Sequence, residues 1–237
     1  MNTFGKLDAL DPSLSLTLRD HVHKALRHAI IAGRYPFETR LNERQLAEEL
    51  GVSTTPLKEA IRQLESEGLV RTLPRRGVVV LYGRTWAEEM ILARAALEAM
   101  IARLAAQRID EAGRESLRAA IADMTKATGG DDPDLLIAQN ETFHDRIHRA
   151  SECLYLGGLI GKQRLYDASA RRVIHSDGAE KALALAEHTG IGTAILTGDI
   201  DEAERTMRNH VMRSGEVYIR LVFGNRTSPA VDLSSSQ

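Results

Sequence analysis

The chain has 237 residues, 43% hydrophobic and 27% charged, which excludes a disordered chain and leaves room for two domains of ordinary size. Aromatic residues make up only 4% while alanine and leucine are abundant, so a mainly α protein is expected. The net charge of −2 argues against nucleic-acid binding by bulk charge, but through Tyr82 there are 12 Lys and Arg against 10 Asp and Glu, or +2, leaving −4 for the remainder.

Residues 1–15 show no periodicity and read as a flexible arm. Leu18, Val22, Ala25, Leu26, Ala29 and Ile30 then mark an amphipathic helix ending at Gly33. After the connection Tyr35-Pro36-Phe37, Asn42 can cap a second helix, with Gln45 in the capping-box position. Leu46, Ala47 and Leu50 give that helix an apolar face, and Gly51 stands where a left-handed residue ends it. Ser53 is placed to cap a third helix, Pro56 falls in its first turn, and Leu57, Ala60, Ile61 and Leu64 form its buried stripe. Outside that stripe lie Thr55, Lys58 and Arg62 at i, i+3 and i+7, with Ser53 and Thr54 at the helix start. A short helix holding a polar, cationic N-terminal face is the geometry of a helix-turn-helix reading a major groove. An ordinary helical hairpin with a solvated face has the same pattern. What separates them is the next stretch: Leu69–Leu73, the turn Pro74-Arg75-Arg76-Gly77, and Val78–Leu81 read as a β-hairpin with two arginines at its tip.

The run LNERQLAEELGVSTTPLKEAIRQLESEGLV followed by RRGVVV resembles the GntR family of bacterial transcription regulators, over about Leu16 to Tyr82. The resemblance implies a winged helix-turn-helix at 16–82 that binds double-stranded operator DNA. Arg44, Ser53, Thr54, Thr55, Lys58, Arg62, Arg75 and Arg76 would be its DNA-facing residues. Two positions depart from the commonest pattern: Thr54 and Lys58 each stand where the family usually has arginine.

Residues 83–85 form a short linker, and from Thr85 the periodicity is wholly helical. Thr85 and Glu88 suggest a capping box, with Met90, Leu97, Ile101 and Leu104 as one stripe. Further helices are expected over 110–128, after Asp131-Asp132-Pro133 with Leu136, Asn140, Phe143, Ile147 and Ala150 on one face, over 154–172, over 179–197 and over 200–222, so 86–224 reads as an all-α helical bundle. The end, 225–237, reads as a disordered tail. Cys153 is the single cysteine, and there is neither a signal-peptide pattern nor an apolar run of membrane-spanning length. A soluble, cytoplasmic protein without internal disulfides is expected.

Asn140 and His144, at i and i+4, leave one face of a helix. The helices on either side of Gly198-Asp199 should form an antiparallel hairpin. His188 and His210 then both sit roughly 16 Å from the turn, at about 1.5 Å per residue. Spacing alone favours hydrogen-bonded core or interface histidines, because eight histidines make chance alignments easy and His148 is a competing partner. Arg94 falls on the apolar stripe of the first body helix, where a charge must be paired or face a ligand; Glu98 at i+4 is one partner. Arg171, Arg172 and Tyr155 read as surface or packing residues.

The segments ALEAMIARLAA, NETFHDRIHRAS, EHTGIGTAILTGDIDEA and MRNH resemble the FCD effector domain of the FadR subfamily of GntR regulators. That resemblance implies a divalent metal (zinc, nickel or manganese) held by Asn140, His144, His188 and His210, with Asn140 where aspartate is common. It also implies a small carboxylate effector held by Arg94, whose planar fork suits a carboxylate. The function expected is a ligand-responsive regulator, most often a repressor, acting as a homodimer. The alternative is a metal-dependent enzyme acting on a small organic acid, although no motif places a catalytic carboxylate or nucleophile beside the cluster.

Overall fold

A computed structural model of the chain describes residues 17–74, 77–161 and 178–224. They divide into two units, one taking in Tyr35–Leu81 and the chain up to Ile30, the other Ile31–Arg34 and the chain from Tyr82 on. The expected arm and tail, Arg75, Arg76, Arg171 and Arg172 lie outside the described residues.

The first unit contains α1 (Leu18–Ile31), β1 (Arg40–Leu41), α2 (Glu43–Leu50), α3 (Thr54–Ser66), β2 (Val70–Leu73) and β3 (Gly77–Val80). Asn42 caps α2 as expected, its Oδ1 accepting from the backbone N–H groups of Arg44 at 3.0 Å and Gln45 at 3.2 Å. Gly51, at φ 64, ends that helix in the left-handed region. Ser53 does occupy the N-cap of α3, but its hydroxyl makes no capping hydrogen bond. The expected hairpin is part of a three-stranded antiparallel sheet in the order β1-β3-β2, with Leu41 opposite Val78 and Val70 opposite Val80. Leu57, Leu64, Leu69, Val78 and Val80 are almost wholly buried between helices and sheet.

Two polar residues inside the α1 face, His23 and Arg27, are buried as well, at 5% and 4% exposure. Both meet Glu67 at the C-terminal end of α3, His23 Nε2 at 2.7 Å from one carboxylate oxygen and Arg27 Nε at 2.7 Å from the other. Burial alone would raise the Glu67 pKa, yet the His23 and Arg27 contacts outweigh it and hold the carboxyl below its ordinary value. Glu65 ties α3 to the sheet by accepting from the Thr72 N–H at 2.6 Å and its hydroxyl at 3.1 Å.

The second unit is built from α4 (Arg84–Arg108), α5 (Glu111–Thr128), α6 (Pro133–Ala150), α7 (Leu154–Gly161), α8 (Gly178–Thr197) and α9 (Ile200–Phe223). Asp110 and Asp132 cap α5 and α6 with their side chains, and Asp199 caps α9. The expected Thr85 cap is overturned. Gly83 is the N-cap of α4 without any side-chain bond, and Glu88 instead accepts from Arg84 Nε at 2.7 Å. The residues read as a linker are therefore a cap and the first helical turn. α4 packs against α6, α8 and α9. That is why its buried residues form a broad band, including Ala95, Ala99, Ile101, Ala102 and Ala105, and not the single stripe expected.

Two glycines leave room for isoleucines of facing helices, Gly215 for Ile91 on α4 and Gly192 for Ile121 on α5. A Cβ added at Gly215 on α9 would meet Ile91 Cγ2 at 2.4 Å and Cδ1 at 2.9 Å. One added at Gly192 on α8 would meet Ile121 Cδ1 at 2.4 Å. Near the end of α9, buried Tyr218 donates to the Ile31 carbonyl at 2.7 Å, and its oxygen lies 2.5 Å from the Tyr82 hydroxyl. Burial pushes the Tyr218 hydroxyl well above the ordinary phenol range.

Two stability predictions come from this packing. Gly215→Ala should cost about 1–3 kcal/mol by overpacking, and more than Gly192→Ala, because the Ile91 branch methyl cannot rotate clear as the Ile121 terminal methyl can. Urea unfolding of both variants, with Ile91→Ala added to recover Gly215→Ala, checks it. The second concerns pH. Since the folded pKa of Glu67 is depressed, its contribution is complete above the unfolded carboxylate value, about 4.3, and is lost as pH falls through the folded one. Melting temperatures of wild type and Glu67→Gln should therefore converge as the solution is acidified below about pH 4.

Candidate functional site

The first unit carries a polar face on α3. Ser53, Thr54, Thr55, Lys58 and Arg62 are all exposed, while Leu57, Ala60, Ile61 and Leu64 are buried behind them. Arg44 on α2 is also exposed, and its 3.3 Å pair with Glu48 has both side chains mostly in solvent, so that contact does little to hold it.

The second unit carries a buried polar cluster. α6 presents Asn140 and His144 one turn apart, and the α8–α9 hairpin brings His188 and His210 level, with ring centroids 4.3 Å apart. His144 lies 5.4 Å from His188 and 5.8 Å from His210 by the same measure. One nitrogen from each of the three imidazoles falls within 4.8 Å of the others, and all three residues are buried. Phe143 closes one side, its ring 5.0 Å from His188 and 5.5 Å from His144. Asn140, 4% exposed, points an amide oxygen into the interior that accepts no hydrogen bond among the described residues. Three convergent imidazoles beside a buried amide oxygen that accepts no hydrogen bond among the described residues are a donor set that fits a borderline divalent cation.

Behind the imidazoles lies an acidic partner that sequence patterns did not single out. His210 Nδ1 is 2.7 Å from Glu187 Oε2, and Arg213 Nη2 donates to the same oxygen at 2.9 Å. Burial opposes ionisation of Glu187, but the His210 and Arg213 contacts prevail and lower its pKa. Nothing in the spacing of Glu187 flags it, because it sits beside His188 in sequence yet reaches His210 across the hairpin.

Arg94 and His148 are joined through Glu98. Arg94 Nη2 donates to Glu98 Oε1 at 3.0 Å, and His148 Nε2 lies 2.7 Å from Oε2. Glu98 is completely buried and Arg94 is 6% exposed. His148, the competing candidate for the histidine cluster, is thus engaged elsewhere. Further along, Arg108 on α4 donates to the Ser151 carbonyl at 2.7 Å, so α4 and α6 run in the same direction where they meet. One turn back from Glu98 and His148 on the two helices lie Arg94 and His144. Tyr155 is 76% exposed and belongs to neither group.

Removing one member of a buried ion pair is more damaging than removing both. Glu98→Ala, which strands the buried Arg94 charge, should lower the unfolding free energy by about 3–5 kcal/mol. Arg94→Met combined with Glu98→Leu should cost less than the single change, and urea unfolding of the two variants provides the comparison.

Comparison with known proteins agrees with both units. Residues 18–80 match the family model of bacterial regulatory proteins, gntR family, and residues 89–213 match the FCD domain. The chain is 30% identical over 214 residues to a Paenarthrobacter nicotinovorans protein named "Probable D-xylose utilization operon transcriptional repressor", covering 86% of this chain and 91% of the relative. It is 23% identical over 200 residues to the Escherichia coli "HTH-type transcriptional repressor RspR", covering 84% and 88%. Its fold is similar to the solved structure of E. coli McbR/YncC, with a TM-score of 0.64 at 20% identity, over 87% of this chain and 99% of that one. These relatives are transcription regulators, not enzymes, and no helix among the described residues is long and apolar enough to cross a membrane. The chain belongs to the GntR family of transcription regulators, in its FadR-like branch that joins a winged helix-turn-helix to an FCD domain.

Proposed function

We propose that this regulator is a cytoplasmic repressor that binds a palindromic operator as a homodimer and changes its DNA affinity when a small carboxylate effector binds at a divalent metal in the helical unit. The observation that carries this reading is the trio of buried imidazoles, whose ligand atoms lie within 4.8 Å of one another, in a chain whose other unit is a helix-turn-helix. His144, His188 and His210 would hold the metal, with Asn140 as a weaker fourth ligand. An imidazole-rich, uncharged donor set favours zinc or nickel over manganese. When bound, the ion supplies a Lewis-acidic position for a carboxylate oxygen. Arg94, one turn back along α4 as His144 is along α6, would receive the effector carboxylate in competition with Glu98.

On the DNA side, Lys58 and Arg62 would contact phosphates or base edges, with Ser53, Thr54 and Thr55 at the start of the recognition helix. Arg44 would anchor the backbone, and Arg75 and Arg76 would approach the minor groove. One such helix reads few base pairs, so two-fold symmetry matched to a palindrome multiplies the readout. A second copy is also suggested by α4, where Leu92, Ala96 and Met100 form an exposed apolar stripe at i, i+4 and i+8.

Lys58→Ala and Arg62→Ala should weaken operator binding without unfolding the protein, and a lost phosphate contact should reduce the salt slope by about one. Unchanged affinity in both variants would remove this face from the interface. Elemental analysis of the purified protein should find one divalent ion per chain, and its removal by chelation should lower the melting temperature. Replacing any of the three histidines should cost more affinity than replacing Asn140. Arg94→Ala should leave DNA binding without effector nearly intact but abolish release by whichever acid is active in a screen of short hydroxy acids, with D-xylose as the uncharged comparison. Arg94→Lys should recover only part of the response.

A further inference from the structure

The α8–α9 hairpin does more than bring two histidines level. It also carries a charged ladder along their outer side. Glu187 accepts from Arg213 through both carboxylate oxygens, Nε on Oε1 and Nη2 on Oε2, while Arg213 Nη1 reaches Glu180 two turns earlier on α8. The side chains of Glu180, Glu187 and Arg213 are 16%, 21% and 23% exposed, so these are sheltered pairs and not the solvated kind that contributes little. At the inner end of the ladder, Glu187 Oε2 meets His210 Nδ1 at 2.7 Å.

A carboxylate is an acceptor only, so the proton between them sits on Nδ1 and the Nε2 lone pair of His210 is left for a ligand role. Such a partner both orients an imidazole and makes it a better donor. The other donors gathered with His210 are two imidazoles and the Asn140 amide, all uncharged as ligands. Glu187 is a carboxylate in direct contact with this donor set, through His210.

We propose that Glu187, locked in place by Arg213, is a positioning residue for the metal centre: it holds His210 as the Nδ1–H tautomer and supplies through that ring the negative charge that the Asn140 amide does not. This rests on the metal reading above.

The test uses full-length protein stripped of metal and titrated with zinc against a chromophoric chelator, with cobalt as a visible probe of the ligand field. Glu187→Gln keeps the shape and an acceptor for Nδ1–H but loses the charge. It should raise the metal Kd by about 10–100-fold, measured where the metal-free variant is still folded, since loss of the sheltered pair with Arg213 lowers its melting temperature. Asn140→Asp should then tighten binding by a larger factor in the Glu187→Gln background than in wild type, because it restores the missing charge. Arg213→Gln, which leaves Glu187 charged but unheld, should weaken binding by a smaller factor, and it stands in if Glu187→Gln folds poorly. A wild-type Kd in both Glu187→Gln and Arg213→Gln overturns the proposal while leaving the metal reading intact. Equal tightening by Asn140→Asp in both backgrounds overturns the charge-supplying role. Wild-type protein that takes up neither zinc nor cobalt overturns the metal reading and this inference with it.

Discussion

A polar group taken out of water must find a partner, and that constraint shapes both units of this regulator. In the first unit it explains why two residues on the apolar side of α1, His23 and Arg27, converge on one carboxylate at the end of α3. The recognition helix is thereby held at its C-terminal end by charge-assisted bonds as well as by Leu57 and Leu64 beneath it. In the second unit the same constraint sorts the ionisable residues into groups. Arg94 and His148 are joined through Glu98, and Glu187 and Arg213 anchor His210. The cluster of His144, His188 and His210 is distinctive because one ligand atom from each converges on the others, and inward-facing lone pairs are the kind of arrangement a cation stabilises.

Much of the architecture was legible in residue order. Caps were the most dependable marks where a short side chain could reach a backbone N–H: Asn42 behaves as its spacing suggests. Thr85 does not, because the chain enters the helical conformation one residue earlier through Gly83 and Arg84 takes up Glu88. β1 went unseen since two residues carry no periodicity, and Leu41 becomes a strand only by pairing with Val78. The stripe expected on α4 was too narrow. Periodicity presumes one buried side, whereas a helix with α6, α7, α8 and α9 packed on it has alanines where neighbours come close.

The candidate site divides along the same line. The i, i+4 placement of Asn140 and His144 and the level placement of His188 and His210 about a tight turn are readable from spacing, but only the resemblance to the FCD domain, and not spacing, joins the four as a ligand set. Residues that act on those ligands from the far side are readable from neither. Glu187 touches His210 only because the hairpin register sets it there, and no sequence interval relates it to Arg213 and Glu180 except through the fold. The Arg94–Glu98 pair was readable at i, i+4, but the engagement of His148 with Glu98 needed the crossing of α4 and α6.

The close approach at Gly215 and Gly192 bears on how such a body could respond to a ligand. Where an isoleucine side chain fills the space above a glycine of the facing helix there is little room to slide, so a small displacement at one point is carried along the element instead of being absorbed locally. α9 bears both His210 and, two turns on, Tyr218, whose hydroxyl is bonded to Ile31 and Tyr82. An effector changes DNA affinity only by the difference in its own affinity for the two states of the protein. Under the proposed reading that difference arises where the effector carboxylate competes with Glu98 for Arg94, because the outcome decides which partner the buried guanidinium has. Glu98, fully buried, keeps its 2.7 Å contact with His148 when Arg94 turns to the effector. The energetic consequence of binding is thus felt on α4, which carries Arg94 and Glu98, and on α6, which carries His148 together with Asn140 and His144.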